Sequence, residues 1–137
     1  ATGAASRHPR PLAAQLPLRV LVADDNTVNQ MVVVMMLNRM GYAADVVANG
    51  LEVLRALEVK VYDLIFLDIR MPELDGLEAS RRITGRWPAV QRPRIVAMTA
   101  NAMTGDRERC LEAGMDDYLS KPVDPARLAA LLELSDA

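Results

Sequence analysis

Aromatic residues make up only 4% of these 137 residues, so the core has to be built from Val, Leu, Ile, Ala and eight Met. Cysteine is nearly absent as well. The one present, Cys110, can form no internal disulfide and has no second Cys for a metal pattern, which points to a reducing compartment and to a core-filling role. The one histidine, His8, lies in an unpatterned stretch and is assigned no function. With no phosphoacceptor-histidine context and no Gly-rich nucleotide loop, the chain is not read as a kinase on its own. No apolar run is long enough to span a bilayer, and "ATGAASRHPRPLAAQLP" lacks the apolar centre of a signal peptide, so a cytoplasmic location is expected. Sixteen bases against eighteen acids leave a net charge of -2 and no basic stripe for nucleic acid. The length suits one domain.

Residues 1–17 hold Pro9, Pro11 and Pro17 without periodicity and read as a disordered linker or tail, with the domain occupying 18–137. From Leu18 onward, "LRVLVA", "AADVVA", "YDLIFLD", "RIVAMT" and "DYLS" alternate with helix-length segments, which implies an α/β fold with a parallel sheet. "TVNQ" (27–30), "NGLE" (49–52) and "DGLE" (75–78) each place a capping side chain three residues before Gln or Glu. Asp124 with Pro125 marks a further start, and Gly41 and Gly114 stand where the first and fourth helices should stop. Residues 84–93 read as a longer loop whose Trp87 packs over the sheet edge.

In an open parallel α/β sheet, ligands bind at the carboxyl ends of the strands. Here the first strand ends in Asp24 and Asp25, the third in Asp68, the fourth in Thr99, and the fifth runs into Ser120, Lys121 and Pro122. "ADDN" alone would be a polar turn. Three convergent carboxylates repel unless a cation joins them, and hard oxygen donors suit Mg²⁺. A lysine and a hydroxyl aimed at the same point can cradle phosphoryl oxygens, and a carboxylate can be the attacking nucleophile. An apolar strand ending on Asp68 therefore reads as a phosphoryl-transfer site.

"LVADDN", "LDIRMPELDGLE", "VAMTANA" and "GMDDYLSKP" resemble, in order and spacing, the four motif regions of the receiver domains of two-component response regulators. The resemblance implies a flavodoxin-like, doubly wound five-stranded sheet of order 2-1-3-4-5 with helices on both faces. It implies Asp68 as phosphoacceptor, and Asp24, Asp25, Asp68 and the Arg70 backbone carbonyl around Mg²⁺ or Mn²⁺. Thr99, Ala100 and Lys121 would hold the phosphoryl group, Thr99 and Tyr118 would form a switch, and the bond to Pro122 would be cis. Many receivers have Asn where this chain has Arg70. The likeness is greatest to receivers of hybrid sensor histidine kinases, whose partners are a phosphohistidine donor and a histidine phosphotransfer domain. That implies a domain of a longer chain, itself cytoplasmic even where the parent kinase is a membrane sensor. A stand-alone single-domain regulator is the alternative. An aspartyl-nucleophile Mg²⁺ phosphohydrolase is a weaker rival, because Arg70 stands where such enzymes carry a second Asp.

At about 100° per residue, Val32, Val33, Met36, Leu37 and Met40 of the first helix form a stripe fit for the sheet. Met31, Val34 and Met35 fall on the other side. A helix apolar on both faces is buried twice or offers one face to a partner.

Overall fold

The computed structural model describes residues 18–100 and 107–136; the expected tail, 1–17, lies outside them. In chain order the elements are β1 (Val20–Ala23), α1 (Thr27–Arg39), β2 (Ala44–Val47), α2 (Gly50–Val59), β3 (Leu64–Asp68), α3 (Gly76–Arg86), β4 (Arg94–Thr99), α4 (Arg107–Glu112), β5 (Asp117–Ser120) and α5 (Pro125–Asp136). All four strand pairings are parallel, and the order is β2-β1-β3-β4-β5, as the sequence motifs imply. Among the described residues, no helix is long and apolar enough to cross a membrane.

The apolar runs form central strands because helices cover both of their faces, so both sets of alternating side chains find apolar partners. On one face Leu21, Ile65, Leu67 and Ile95 pack with Val53 of α2 and with Leu77 and Ile83 of α3. Cys110 of α4 is buried in that same layer, as a core filler should be. On the other face Val22, Leu64, Phe66 and Met98 pack with Val33 and Leu37 of α1 and with Leu128 and Leu131 of α5. β2 is one of the two edge strands, and no residue in it is fully buried.

Asn49 and Asp75 cap α2 and α3 as expected, accepting from the N–H groups of Glu52 at 2.9 Å and Glu78 at 2.8 Å. Asp124 does the same for α5, accepting from the Ala126 N–H at 3.1 Å. Gly41 and Gly114 take φ of 93° and 92°, the left-handed conformation that ends a helix with least strain.

Three local expectations are corrected. The cap of α1 is Asn26, not Thr27; Asn26 accepts from the Asn29 N–H at 3.0 Å, while Gln30 turns away to donate to the Asp24 carbonyl. The segment 84–93 is not all loop, because α3 continues to Arg86 and Trp87 caps it, donating its N–H to the Ile83 carbonyl at 3.0 Å. Trp87 is half-buried against the core, with the Arg86 guanidinium 4.8 Å above its ring. Val32 is 40% exposed instead of packed on the sheet. Val33 and Leu37, four residues apart, set the inward direction, and Val32 lies about 100° around the helix from Val33.

Candidate functional site

The site lies where β1, β3, β4 and β5 end side by side. Asp24 directly follows β1 and is fully buried; its N–H donates to the Val47 carbonyl at 3.1 Å, extending the ladder by one rung. One of its oxygens accepts from the Asn26 N–H at 2.9 Å, closing the turn into α1. Asp25, next in sequence, is exposed. Asp68, the last residue of β3, is 6% exposed. Carboxylate oxygens of Asp24, Asp25 and Asp68 come within 4.8 Å of one another.

Lys121 closes the cluster. Its ammonium donates to Asp68 Oδ2 at 2.9 Å and to Asp24 Oδ2 at 3.1 Å. Its backbone N–H donates to the Thr99 carbonyl at 2.8 Å, which ties the segment after β5 to the end of β4. The Lys121–Pro122 peptide is cis. Thr99 is buried at the end of β4, with Ala100 exposed beyond it.

On the other side of Asp68, Oδ1 accepts from the Arg70 N–H at 3.0 Å. That loop is held firmly: Ile69 donates to the Met98 carbonyl at 3.3 Å and Gly76 donates to the Ile69 carbonyl at 3.2 Å. A Cβ on Gly76 would stand 2.2 Å from the Asp68 carbonyl oxygen, so α3 can begin this close to the site only with glycine there. Gly50 plays the same part for Leu74, whose carbonyl oxygen would lie 2.3 Å from an added Cβ. In sequence, "NG" and "DG" mark only helix starts; this second use depends on the close approach in space. Gln30 was likewise read only as a capping partner, although it holds the Asp24 carbonyl.

The electrostatics follow from this packing. Burial pushes the Asp68 carboxyl above the ordinary range, with a smaller push from the Asp24 charge; the Arg70 N–H and Lys121 pull the other way and do not overcome it. Burial opposes the Lys121 charge, but the hydrogen bonds and charges of Asp68 and Asp24 outweigh it, so its pKa is raised and the ammonium persists. Three carboxylates facing one ammonium make a hard-oxygen donor set with negative charge to spare, which fits a small divalent cation.

Tyr118 sits half-buried on β5, with the guanidinium groups of Arg107 and Arg127 at 5.4 Å and 5.6 Å from its ring centre. On α1, Met31 and Met35 are 57% and 54% exposed, whereas Val34 is only half-exposed. Val28 and Val32 join the two methionines, so 28, 31, 32 and 35 form an apolar stripe at helical spacing. A small cleft lined by Asp24, Asn29, Val32 and Pro122 links that stripe to the acids. A second cleft, of about 580 Å³, opens beside Asp25 and Arg70.

Parallel strands in this order, with acids, a hydroxyl residue and a lysine at their carboxyl ends, define a phosphoryl-signalling α/β domain. Residues 20–133 match the family model described as the response regulator receiver domain, and the chain belongs to that family. It is 39% identical over 116 residues to the aerobic respiration control sensor protein ArcB of Escherichia coli, covering 85% of this chain and 15% of ArcB. The receiver domain of sensor histidine kinase PA1611 from Pseudomonas aeruginosa, solved with a magnesium ion in its active site cleft, is 44% identical with a TM-score of 0.78 over 85% of this chain and 95% of that one. The co-crystal structure of the Saccharomyces cerevisiae histidine phosphotransfer protein Ypd1 and the receiver domain of Ssk1 matches at 28% identity and a TM-score of 0.78, over 87% of this chain and 88% of that one. The chain thus spans only a small part of the curated relatives it matches, which include hybrid histidine kinases.

Proposed function

We propose that this domain takes a phosphoryl group from a phosphohistidine onto Asp68 and passes it on or converts it into a change of shape. A carboxylate oxygen of Asp68 forms a bond to phosphorus while the bond from phosphorus to the donor's imidazole nitrogen breaks, its electron pair staying on the ring. The observation that carries this reading is the junction of Asp68 at a buried strand tip, Lys121 at 2.9 Å and two further acids within 4.8 Å. Asp24, Asp25, Asp68 and the Arg70 carbonyl would hold Mg²⁺, and Mn²⁺ would meet the same donors. The bound ion would neutralise charge on the transferring group. Lys121 meets the developing phosphoryl oxygens with a charge already in place, joined by Thr99 and the backbone of Ala100.

Recruitment of the Thr99 hydroxyl by the new phosphoryl group would free space for Tyr118, whose present position the two arginines favour. The α1 stripe, with Met31, Val34 and Met35, would receive a helix of the donor or of a histidine phosphotransfer domain. The Ypd1–Ssk1 complex supports a partner of that kind. The hybrid-kinase relatives support a place within a longer signalling chain, and we infer a cytoplasmic setting, with the parent protein supplying any kinase activity.

Intact mass after a small phosphodonor and Mg²⁺ are added tests the reading. Wild type should gain about 80 Da, one phosphoryl group, and Asp68→Asn nothing; equal gains in both would remove Asp68 from the mechanism. Met31→Lys combined with Met35→Lys should slow transfer from the cognate phosphohistidine while leaving uptake from the small donor intact.

A further inference from the structure

We propose that the Pro-rich segment 1–17 docks in the cleft at the amino-terminal edge of the sheet, against Trp87, and is thereby held clear of the Asp68 edge. This surface takes no part in the phosphoryl chemistry.

The cleft has a volume of about 340 Å³ and is walled by Leu57, Val61, Tyr62, Trp87, Val90 and Pro93. Val61 and Val90 are 60% and 91% exposed, so part of this apolar wall stands in water. Trp87 adds a polar contact. Its ring is half-buried with the Arg86 guanidinium 4.8 Å from its centre, yet its indole N–H has no acceptor among the described residues and is not sealed from solvent. An apolar wall with a spare Trp donor suits a ligand that brings proline rings and free carbonyl groups. A polyproline II strand brings both, because it makes no hydrogen bonds within itself.

The occupant follows from where the chain enters the domain. The Arg19 N–H donates to Asp63 Oδ2 at 2.8 Å, and the Asp63 N–H donates to the Arg19 carbonyl at 2.8 Å, so β1 begins beside Tyr62 and the cleft wall. The segment joined there, "ATGAASRHPRPLAAQLP", holds Pro9, Pro11, Leu12, Leu16 and Pro17, with two arginines and no acid. Residues 9–17 would span about 28 Å in polyproline II form, enough to lie along the cleft. A short tether gives an effective concentration of roughly mM, so even a site with a Kd of about 1 mM is filled about half the time. A second copy of the chain has no such advantage. The apolar stripe of α1 is less well placed, because it starts at Val28 in the first turn, at the carboxyl edge and a strand's length from Leu18.

The test reads Trp87, the one tryptophan of the chain. In the whole chain, acrylamide should quench its fluorescence about twofold faster once Pro9→Ser, Pro11→Ser and Leu12→Ser are made together. Val90→Lys, at an exposed position whose new charge repels Arg7 and Arg10, should do the same. Combining the two sets should add little, since either one frees the segment. Unchanged quenching in the proline variant, or fully additive effects, would overturn the inference. A nitroxide on Ala13→Cys should also broaden the Trp87 indole proton signal at every dilution and spare the Met31 and Met35 methyls, with Cys110 protected from labelling by its burial. Broadening of those methyls alone would put the segment on α1, broadening lost on dilution would put a second copy in the cleft, and an unbroadened indole would leave the cleft unfilled; each of these overturns the inference. Neither readout depends on phosphoryl uptake by Asp68, so failure here leaves that assignment standing.

Discussion

At the amino-terminal edge of the sheet, acids come with partners of their own. Asp63 meets Arg19 at 3.2 Å, Asp45 meets Lys60 at 2.9 Å and also Tyr62, and Asp116 accepts the Ile95 N–H at 2.8 Å. At the carboxyl edge, Asp24, Asp25 and Asp68 cluster, and the two buried ones, Asp24 and Asp68, share one lysine. The first arrangement is a solvated surface where ion pairs contribute little. The second spends stability on an imbalance that only an added cation and a phosphoryl group complete, which is the usual cost of a poised site. The comparison also separates two clefts: one lined by Leu57, Tyr62, Trp87 and Val90 lies at the matched edge, and the one lined by Asp25 and Arg70 lies at the unmatched edge. Chemistry belongs with the second.

Changes at the carboxyl edge should outweigh changes at the other. Lys121→Met removes the cation that both buried acids share, so phosphoryl uptake should fall about hundredfold and metal-free stability by about 2 kcal/mol, read by intact mass and urea unfolding. Retained uptake would take Lys121 out of the chemistry. Gly76→Ala forces a Cβ to 2.2 Å from the Asp68 carbonyl and should cost about 2 to 3 kcal/mol in urea midpoint analysis. Gly85→Ala, in the same helix with nothing within 4 Å, should instead stabilise by up to about 1 kcal/mol. If both glycines respond alike, close approach at Gly76 is not what positions the site.

Adding Mg²⁺ at about a hundredfold above its Kd should raise the stability of wild type by roughly 2.7 kcal/mol, and that of Asp25→Asn by much less. Equal gains would place the ion elsewhere. The smallest effect should come from the matched edge. Hydrogen bonds from Tyr62 and then Lys60 hold the Asp45 carboxyl below its usual 3.8, while burial first and Asp45 second push the Tyr62 hydroxyl up to about 12. Just below pH 4 the unfolded chain takes up a proton at Asp45 that the folded one refuses, so this contribution is present above that pH and is lost on acidification. Between pH 10 and about 12 the unfolded chain loses the Tyr62 proton that the folded one keeps, so stability falls as pH rises. Tyr62→Phe should flatten both slopes in thermal melts without altering phosphoryl uptake; a fall in uptake would couple the two edges.

Much of this was legible along the chain because it is periodic or local. The unbroken apolar run in "LIFLD", the caps at Asn49 and Asp75, and the helix stops at Gly41 and Gly114 act within a few residues, where neighbours in sequence are neighbours in space. The acids were legible because strand ends of a parallel sheet share one edge. What escaped depends on three-dimensional approach. Val32 is exposed because Val33 and Leu37 fix the rotation of α1, and a repeating apolar pattern cannot choose between two adjacent stripes. Thr27 loses the cap to Asn26 because Asp24 and Gln30 bind each other's neighbourhood and set the turn one residue earlier.

By itself, then, the sequence determined the strand and helix register, the parallel sheet and the identity of the acids, because each rests on short-range sterics and on apolar residues recurring at the period of their element. Only the tertiary structure decided that Lys121, 97 residues from Asp24 and 53 from Asp68, bonds both at once. It alone decided that Gly76 abuts the Asp68 carbonyl and that the Arg70 N–H donates to Asp68 Oδ1. Those facts depend on how strands stack and loops close, and distance through space carries no mark in the order of the residues.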